Sequence, residues 1–403
     1  MNGPIERCQS CGDSLREFLQ LGYHPPPMVF PASRSNAPQT LYPLNVLRCR
    51  GCGLVQLGYA VDPEILFREY YYNSGATPSF KKHLEDLAER MMRELKPRFV
   101  VDIGSNDGTG LKRYDESGVK VLGVDPSTVA AKSTVFTIND FFNDELALKI
   151  VKQLGQADLI TAFNIFAHIA DLDSLMRGIV RLLKPKGVLL IEAQYLLDNL
   201  EKLTYDTMYL EHLRFYSLHT LISVLGRHDL EVFKAERIQT FGGSIRVFAH
   251  KKHGIEPPIE PSVAELLNLE DENGLQILST YDKFAERVRQ SKVDLNSLLW
   301  ALMKQGHRIA GIGAPARSTT LINYCGLGPE LIDYIVETSP LKIGRFSPGA
   351  HIPVMAEERL ITDQPEYAVL FSIHLEDVIV PKLRAMGYKG KIVIPLPVVR
   401  VLE

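Results

Sequence analysis

Between residues 99 and about 250 the chain alternates short β-branched runs with stretches of helical periodicity. FVVDIG, VKVLGVD, DLITAFN and GVLLIEAQY read as strands, and strands separated by helices need crossover connections, which build a mostly parallel α/β sheet. LEVFKAERI and SIRVFAHKK lie close together around a Gly-Gly turn and predict an antiparallel hairpin at one side of that sheet. The run PSFKKHLEDLAERMMREL reads as a helix leading in, ended by Lys96-Pro97. After it all, the Pro- and Glu-rich stretch HGIEPPIEPSVAELL reads as a linker. A long helix near 273–305 follows, and then a second α/β pattern of HRIAGIG, LIDYIVETSP, YAVLFS and KIVIPLP. The first 75 residues are turn-rich and short of apolar periodicity. Three units are therefore expected: 1–75, 76–253 and 254–403.

Composition narrows the classes of function. With 45 Lys+Arg against 48 Asp+Glu and a net charge of −3, the chain offers no general electrostatic drive toward nucleic acid. No apolar run approaches the roughly 18 to 20 residues of a membrane span, and the N-terminus MNGPIERCQSCGDSLREF lacks the pattern of a secretory signal. The expectation is a cytoplasmic protein. No exposed apolar helix or heptad calls for an oligomer, so a monomer is expected.

Four of the five cysteines form two matched pairs, Cys8-x-x-Cys11 and Cys49-x-x-Cys52. Four soft thiolates suit tetrahedral Zn²⁺, and four protein ligands leave no open position, so the metal is expected to be structural. Nearby glycines (Gly12, Gly51, Gly53) let backbone amides turn toward the sulfurs.

VVDIGSNDGTGLKRY is a strand, a Gly-rich turn and a helix start. Asp102 closes the strand, Gly104 and Gly108 permit close approach of a ligand, and Asn106 sits between them. Asp125 ends the next strand, where a carboxylate can take both hydroxyls of a ribose. The loop is not GxGxxG, and its acidic, polar character suits S-adenosylmethionine, which has no phosphate and carries a sulfonium. Asp140 and Phe141 can meet the adenine, and Asn164 and His168 follow the fourth strand. TYDTMYLEHLRFYSL gathers Tyr209, Glu211 and His212 beyond that sheet, and a histidine beside a carboxylate and a phenol suits proton abstraction near neutral pH.

The sheet pattern is the outline of a class I methyltransferase, and the motifs go further. In order they are the paired CxxC knuckles, DIGSNDG, EAQY leading into YDTMYLEHLRFYS, GGSIRVF, GAPARSTTLINY and SPGAHIPV. The chain thus resembles, from end to end, the sugar C-methyltransferases that act on nucleotide-linked 4-keto deoxysugars. It departs from them at Leu210, where a second His is frequent, and at Ser318-Thr319, where Gly-Asn is usual. The resemblance implies His212 as the base, with Tyr209 and Glu211 beside it. It likens Tyr70-Tyr71-Tyr72-Asn73-Ser74 to a substrate-touching Y-x-Y-x-S, which points to Tyr72. It also implies that the C-terminal unit closes over the middle one and helps hold the nucleotide sugar. There Ala316, Arg317 and Ser318 at a helix N-terminus suit a pyrophosphate, with Lys342 or His351 assisting.

The expected function is transfer of a methyl group from S-adenosylmethionine to a carbon alpha to the 4-keto group, with C3 preferred because the resembled family favours it. Two other readings remain open at this point: an O- or N-methyltransferase, and a non-catalytic zinc-knuckle binding protein.

Overall fold

The computed structural model describes residues 2–32, 39–68, 73–252 and 257–403. The central run of strands forms one seven-stranded sheet. Its order is Thr137–Ile138, Lys120–Val124, Phe99–Ile103, Ala157–Phe163, Leu183–Gln194, Ser244–Lys251, Leu230–Ile238. Ser244–Lys251 runs antiparallel to both of its neighbours, and every other pairing is parallel. That is the class I methyltransferase arrangement. Phe99–Ile103 is buried at all five positions, as a parallel strand covered on both faces must be. Its four apolar side chains, Phe99, Val100, Val101 and Ile103, each contribute about 1.5–3 kcal/mol by leaving water. Strand order reverses beside Phe99–Ile103, so its C-terminal end opens a crevice with that of Ala157–Phe163.

The helix Pro78–Glu94 starts on a proline at its first turn and buries Phe80, Leu84, Leu87, Ala88 and Met91 along one stripe. The expected long helix is present as Leu278–Lys304, and the stretch read as a linker contains a helix of its own, Pro261–Glu272. The second α/β pattern forms a six-stranded sheet, parallel except for its last strand, Arg400–Leu402.

The N-terminal stretch holds more sheet than its sequence suggests. Leu15–His24 pairs antiparallel with Tyr42–Cys49, which pairs with Val55–Leu57. The outermost strand on that side, Arg214–Phe215, comes from the middle of the chain. One continuous apolar core runs from Leu19 and Val46 through Ile160 and Leu189 to Ile309 and Val369, crossing all three large sheets. Among the described residues no helix is long and apolar enough to cross a membrane.

Candidate active site and metal centre

The two cysteine pairs, far apart in sequence, meet at one point. The Sγ atoms of Cys8, Cys11, Cys49 and Cys52 all lie within 4.8 Å of one another. Cys8 and Cys52 are 3.6 Å apart and Cys11 and Cys49 are 3.4 Å apart. Four sulfurs about 2.3 Å from a tetrahedral Zn²⁺ are separated by about 3.8 Å, so the donor set fits that ion. The amides of Ser10 and Cys52 donate to Cys8 Sγ and Cys49 Sγ, each at 3.4 Å. Contact with the Cys52 thiol and burial push the Cys8 thiol well up, and burial raises Cys49. Four thiolates therefore coexist here only around a cation.

On the middle sheet, the Gly-rich turn is shaped by three residues in the left-handed region, Gly104 (φ 77°), Asn106 (φ 52°) and Gly108 (φ 81°). A Cβ on Gly104 would stand 2.7 Å from Ile165 Cγ1, so only glycine fits the position. Asn106 is occupied on two sides: its amide donates to Asp125 Oδ2 at 2.9 Å, and its side-chain oxygen accepts from Ser74 N at 2.9 Å. Asp125 Oδ1 accepts from the amide and the hydroxyl of Ser127 at 2.9 and 2.5 Å. Asp102 is buried, with Thr161 Oγ1 donating to it at 2.7 Å, and burial lifts its carboxyl to about 7.

These residues floor a cavity of about 710 Å³. Of the expected cofactor residues, Asp102, Gly104, Asn106, Asp125, Phe141, Asn164 and His168 line it. Gly108 and Asp140 do not. Gly108 serves as the N-cap of helix Thr109–Glu116, and Asp140 points to solvent and accepts from the Phe141 amide at 2.8 Å.

His212 and Tyr209 line the same cavity, with ring centroids 4.0 Å apart. His212 Nδ1 donates to the Thr207 carbonyl at 2.8 Å, which leaves Nε2 without a proton in the neutral ring. Burial draws His212 down to about 4, with the Arg317 charge adding to the effect. His168 stands with its ring 4.9 Å from that of His212. Burial holds it well below the ordinary histidine range, helped by His212 and Arg214. Glu211 is 1% exposed and is not part of the cavity wall, so the sequence neighbourhood of the three residues does not survive as one cluster. Leu210, one of the two departures noted above, is fully buried in the apolar core. Tyr72 lies outside the described residues.

The C-terminal sheet supplies the opposite wall through Pro315, Ala316, Arg317, Lys342 and His374. The two cations expected to meet a pyrophosphate there are already engaged. Arg317 forms a buried bidentate pair with Asp206, Nε to Oδ2 at 2.6 Å and Nη2 to Oδ1 at 3.0 Å. Lys342 Nζ donates to Ala314 O at 2.9 Å and stands 3.5 Å from Glu337 Oε2. Ser318 and His351 do not reach the cavity. Ser318 Oγ donates back to Pro315 O at 2.7 Å within its own first turn, and the His351 amide bonds back to Ser347 O at 3.0 Å within a local turn. Thr319 Oγ1 donates to Pro27 O at 3.2 Å, so at the Ser318-Thr319 departure both hydroxyls are taken up by backbone carbonyls, one of them in the N-terminal region.

Among the cavity residues that received no role from sequence, His374, Gln194 and Ser105 carry buried polar atoms. His374 is a lone histidine after a strand, and Gln194 and Ser105 stand inside motifs otherwise read for their glycines and acids. Ser105 Oγ, Asn164 Oδ1, Gln194 Oε1 and His374 Nδ1 belong to cavity-lining residues and are buried with no hydrogen-bond partner among the described residues. An unsatisfied buried polar atom costs about 1–3 kcal/mol, which a ligand with matching groups recovers. A cavity with one acidic floor, several orphaned polar atoms and no phosphate-type loop fits S-adenosylmethionine.

Comparison with known proteins agrees with this geometry. Residues 239–397 match the model of a C-methyltransferase C-terminal domain, residues 77–235 a methyltransferase domain, and residues 8–67 a zinc binding domain. The C-methyltransferase NovU of Streptomyces niveus is 31% identical over 410 residues, covering 99% of this chain and 97% of NovU. Among solved structures, a SAM dependent methyltransferase from Archaeoglobus fulgidus is 16% identical, with a TM-score of 0.35 over 42% of this chain and 94% of its own. Magnesium protoporphyrin IX methyltransferase from Synechocystis PCC 6803, with bound SAH, is 13% identical, with a TM-score of 0.33 over 43% of this chain and 83% of its own. The assignment rests on the family matches and on NovU: the chain belongs to the C-methyltransferases and is an S-adenosylmethionine-dependent enzyme with a zinc-binding N-terminal domain.

Proposed function

We propose that the protein methylates a carbon alpha to the ketone of a nucleotide-linked 4-keto-6-deoxysugar, at C3, with His212 as the base. The observation that carries this reading is the state of His212: buried in the cavity wall, neutral at physiological pH, and held in one tautomer by Thr207. A 4-keto group acidifies the hydrogen on C3. Nε2 of His212 takes that proton, the C–H electron pair moves onto the ketone oxygen, and a hydrogen bond from Tyr209 steadies the resulting enolate. Bound S-adenosylmethionine supplies an electrophilic methyl group on a sulfonium. The enolate carbon would take up that methyl, the C–S bond giving way to the new C–C bond, and His212 would return its proton to water. O- or N-methylation would need no carbon acid and would leave a neutral buried imidazole with less to do. C3 is chosen over C5 on the resemblance to sugar C-methyltransferases.

The remaining assignments follow the same division of the cavity. Asp125 faces the ribose: Oδ1 is filled by the amide and hydroxyl of Ser127, and Oδ2, which accepts only from the Asn106 amide, keeps a lone pair for a ribose hydroxyl. Asp102, Gly104 and Asn164 face the amino acid end, where a cationic group favours the ionised form of Asp102. The nucleotide lies toward Pro315–Arg317, with Asp206 fixing the guanidinium in place.

The test is incubation of the full chain with S-adenosylmethionine and a panel of dTDP-, GDP- and CDP-linked 4-keto-6-deoxysugars. A new methyl on carbon next to the ketone is expected in one of them, located by NMR. A methyl found on oxygen or nitrogen sinks the proposal. For the cofactor contacts, Asp125→Ala is expected to weaken S-adenosylmethionine binding by about tenfold or more, the loss of charged hydrogen bonds worth about 1.5–3 kcal/mol. An unchanged dissociation constant in calorimetry places the ribose elsewhere.

A further inference from the structure

Two arginines that touch the cysteine knuckles are buried without an acidic partner among the described residues. Arg214 is 1% exposed and the largest fully buried side chain among the described residues. Its Nε donates to Tyr216 Oη at 2.9 Å, its Nη1 to Gln9 Oε1 at 2.8 Å, and its Nη2 to the carbonyls of Phe166, at 3.1 Å, and Ile169. Arg48, 6% exposed, lies over the Tyr281 ring, makes long hydrogen bonds of 3.4 Å to the oxygens of Cys49, Leu275 and Gln276, and has no Nε partner among the described residues. Neither has a carboxylate within 4 Å among the described residues. A buried guanidinium surrounded only by neutral acceptors leaves a large desolvation cost without a counter-charge.

Each arginine leans on one knuckle. Gln9, the acceptor for Arg214, stands between ligands Cys8 and Cys11, and its own amide bonds to Gln56 Oε1 at 2.9 Å. Arg48 precedes ligand Cys49, and its Nη2 would lie 3.0 Å from a Cβ on Gly53. Zn²⁺ with four thiolates carries a net charge of two minus, which two guanidinium ions balance. We infer that Arg214 and Arg48 are the counter-ions of the zinc tetrathiolate, and that Arg214 uses this anchorage to position the His168–His212 wall.

The path from metal to cavity is short. Arg214 holds the 166–169 carbonyls on either side of His168, and the same loop is tied to the knuckle by Gln9 Nε2 on Ala170 O at 3.2 Å. Arg214 stands two residues after His212 in the strand that joins the N-terminal sheet, and Leu213 N bonds to Ala167 O at 2.8 Å between the two histidines. Arg48 carries the same centre toward the C-terminal unit through Leu275, Gln276 and the Tyr281 ring, 5.1 Å from its Cζ. Arg214 is thus a positioning residue, acting on His168 and His212 and not on substrate.

The experiment uses zinc-loaded full-length protein and its Arg214→Met, Arg48→Met and Arg214→Lys variants. Zinc retention is measured by competition with a chromogenic chelator, and kcat and KM are measured alongside. Each Met variant is expected to bind zinc about tenfold or more weakly, the range seen when outer-shell partners of a metal are removed. Arg214→Met is further expected to lower kcat without changing S-adenosylmethionine affinity. Arg214→Lys restores zinc retention through its charge but not kcat, because a single ammonium cannot span the Phe166 and Ile169 carbonyls and Gln9. Unchanged zinc retention in both folded Met variants overturns the inference, even if their melting temperatures fall. If Arg214→Met does not fold, Arg48→Met and Arg214→Lys decide the matter by the same readouts. The kinetic arm rests on His212 being the base, whereas the zinc arm does not. Weakened zinc binding alongside a fully active His212→Asn would therefore fault the base assignment alone.

Discussion

Replacing His212 with asparagine is expected to lower kcat by about a thousandfold, within the range lost when a positioned general base is removed. Asparagine is close in volume, and its amide can keep the bond to the Thr207 carbonyl, so the cavity wall stays in place. What disappears is the unprotonated Nε2. S-adenosylmethionine affinity is expected to stay near that of the wild type, because Asp125, Ser127 and Asn106 form a different part of the cavity. Turnover close to wild type in this variant would transfer the base role elsewhere, with His168, 4.9 Å away, the first residue to replace next. A joint loss of turnover and cofactor binding would mean that His212 holds the cavity together and does not act on a proton.

The second large effect concerns acid. Burial lowers His212 to about 4 and His374 to about 3, and it also lowers His168 and His24. An unfolded histidine takes its proton near 6.5. Between that pH and the folded values the unfolded chain binds more protons, so stability falls as pH drops through 6.5 toward 4. For His212 alone the shift amounts to about 3 kcal/mol by pH 4. Asp102, lifted to about 7 by burial, works in the opposite direction and offsets part of the histidine term. The melting temperature is therefore expected to decline between pH 6.5 and 4 in the wild type and to decline less in His212→Asn. Parallel pH profiles for the two proteins would mean that His212 is protonated in the folded state.

Where sequence and structure agree, the cause is burial on both faces. FVVDI and DLITAF announce themselves because parallel strands under helices carry almost no polar residues, and that apolarity is visible in one dimension. Leu15–His24 is also a strand, ten residues long, yet its alternation is broken where pairing with Tyr42–Cys49 slips between Glu17 and Leu19 and again between Gln20 and Tyr23. Each slip shifts the apolar positions by one and erases the period of two. The cysteines were legible because metal ligation fixes both residue type and spacing. The C-terminal wall was only half legible. Arg317 reads as a phosphate ligand until Asp206, 111 residues away, is seen to hold it in a bidentate pair. His374 carries no motif at all, and only the closure of one unit on another gives it a cavity to face.

The central claim is that His212 removes a proton from carbon before any methyl group moves. It is tested most directly by incubating the full chain with the accepted 4-keto sugar in D₂O, with S-adenosylhomocysteine in place of the methyl donor. Mass spectrometry then follows the sugar. The account predicts gain of one carbon-bound deuterium with the wild type and none with His212→Asn. Equal deuterium uptake in both proteins, or none with a wild type that still transfers methyl when given the donor, would contradict it.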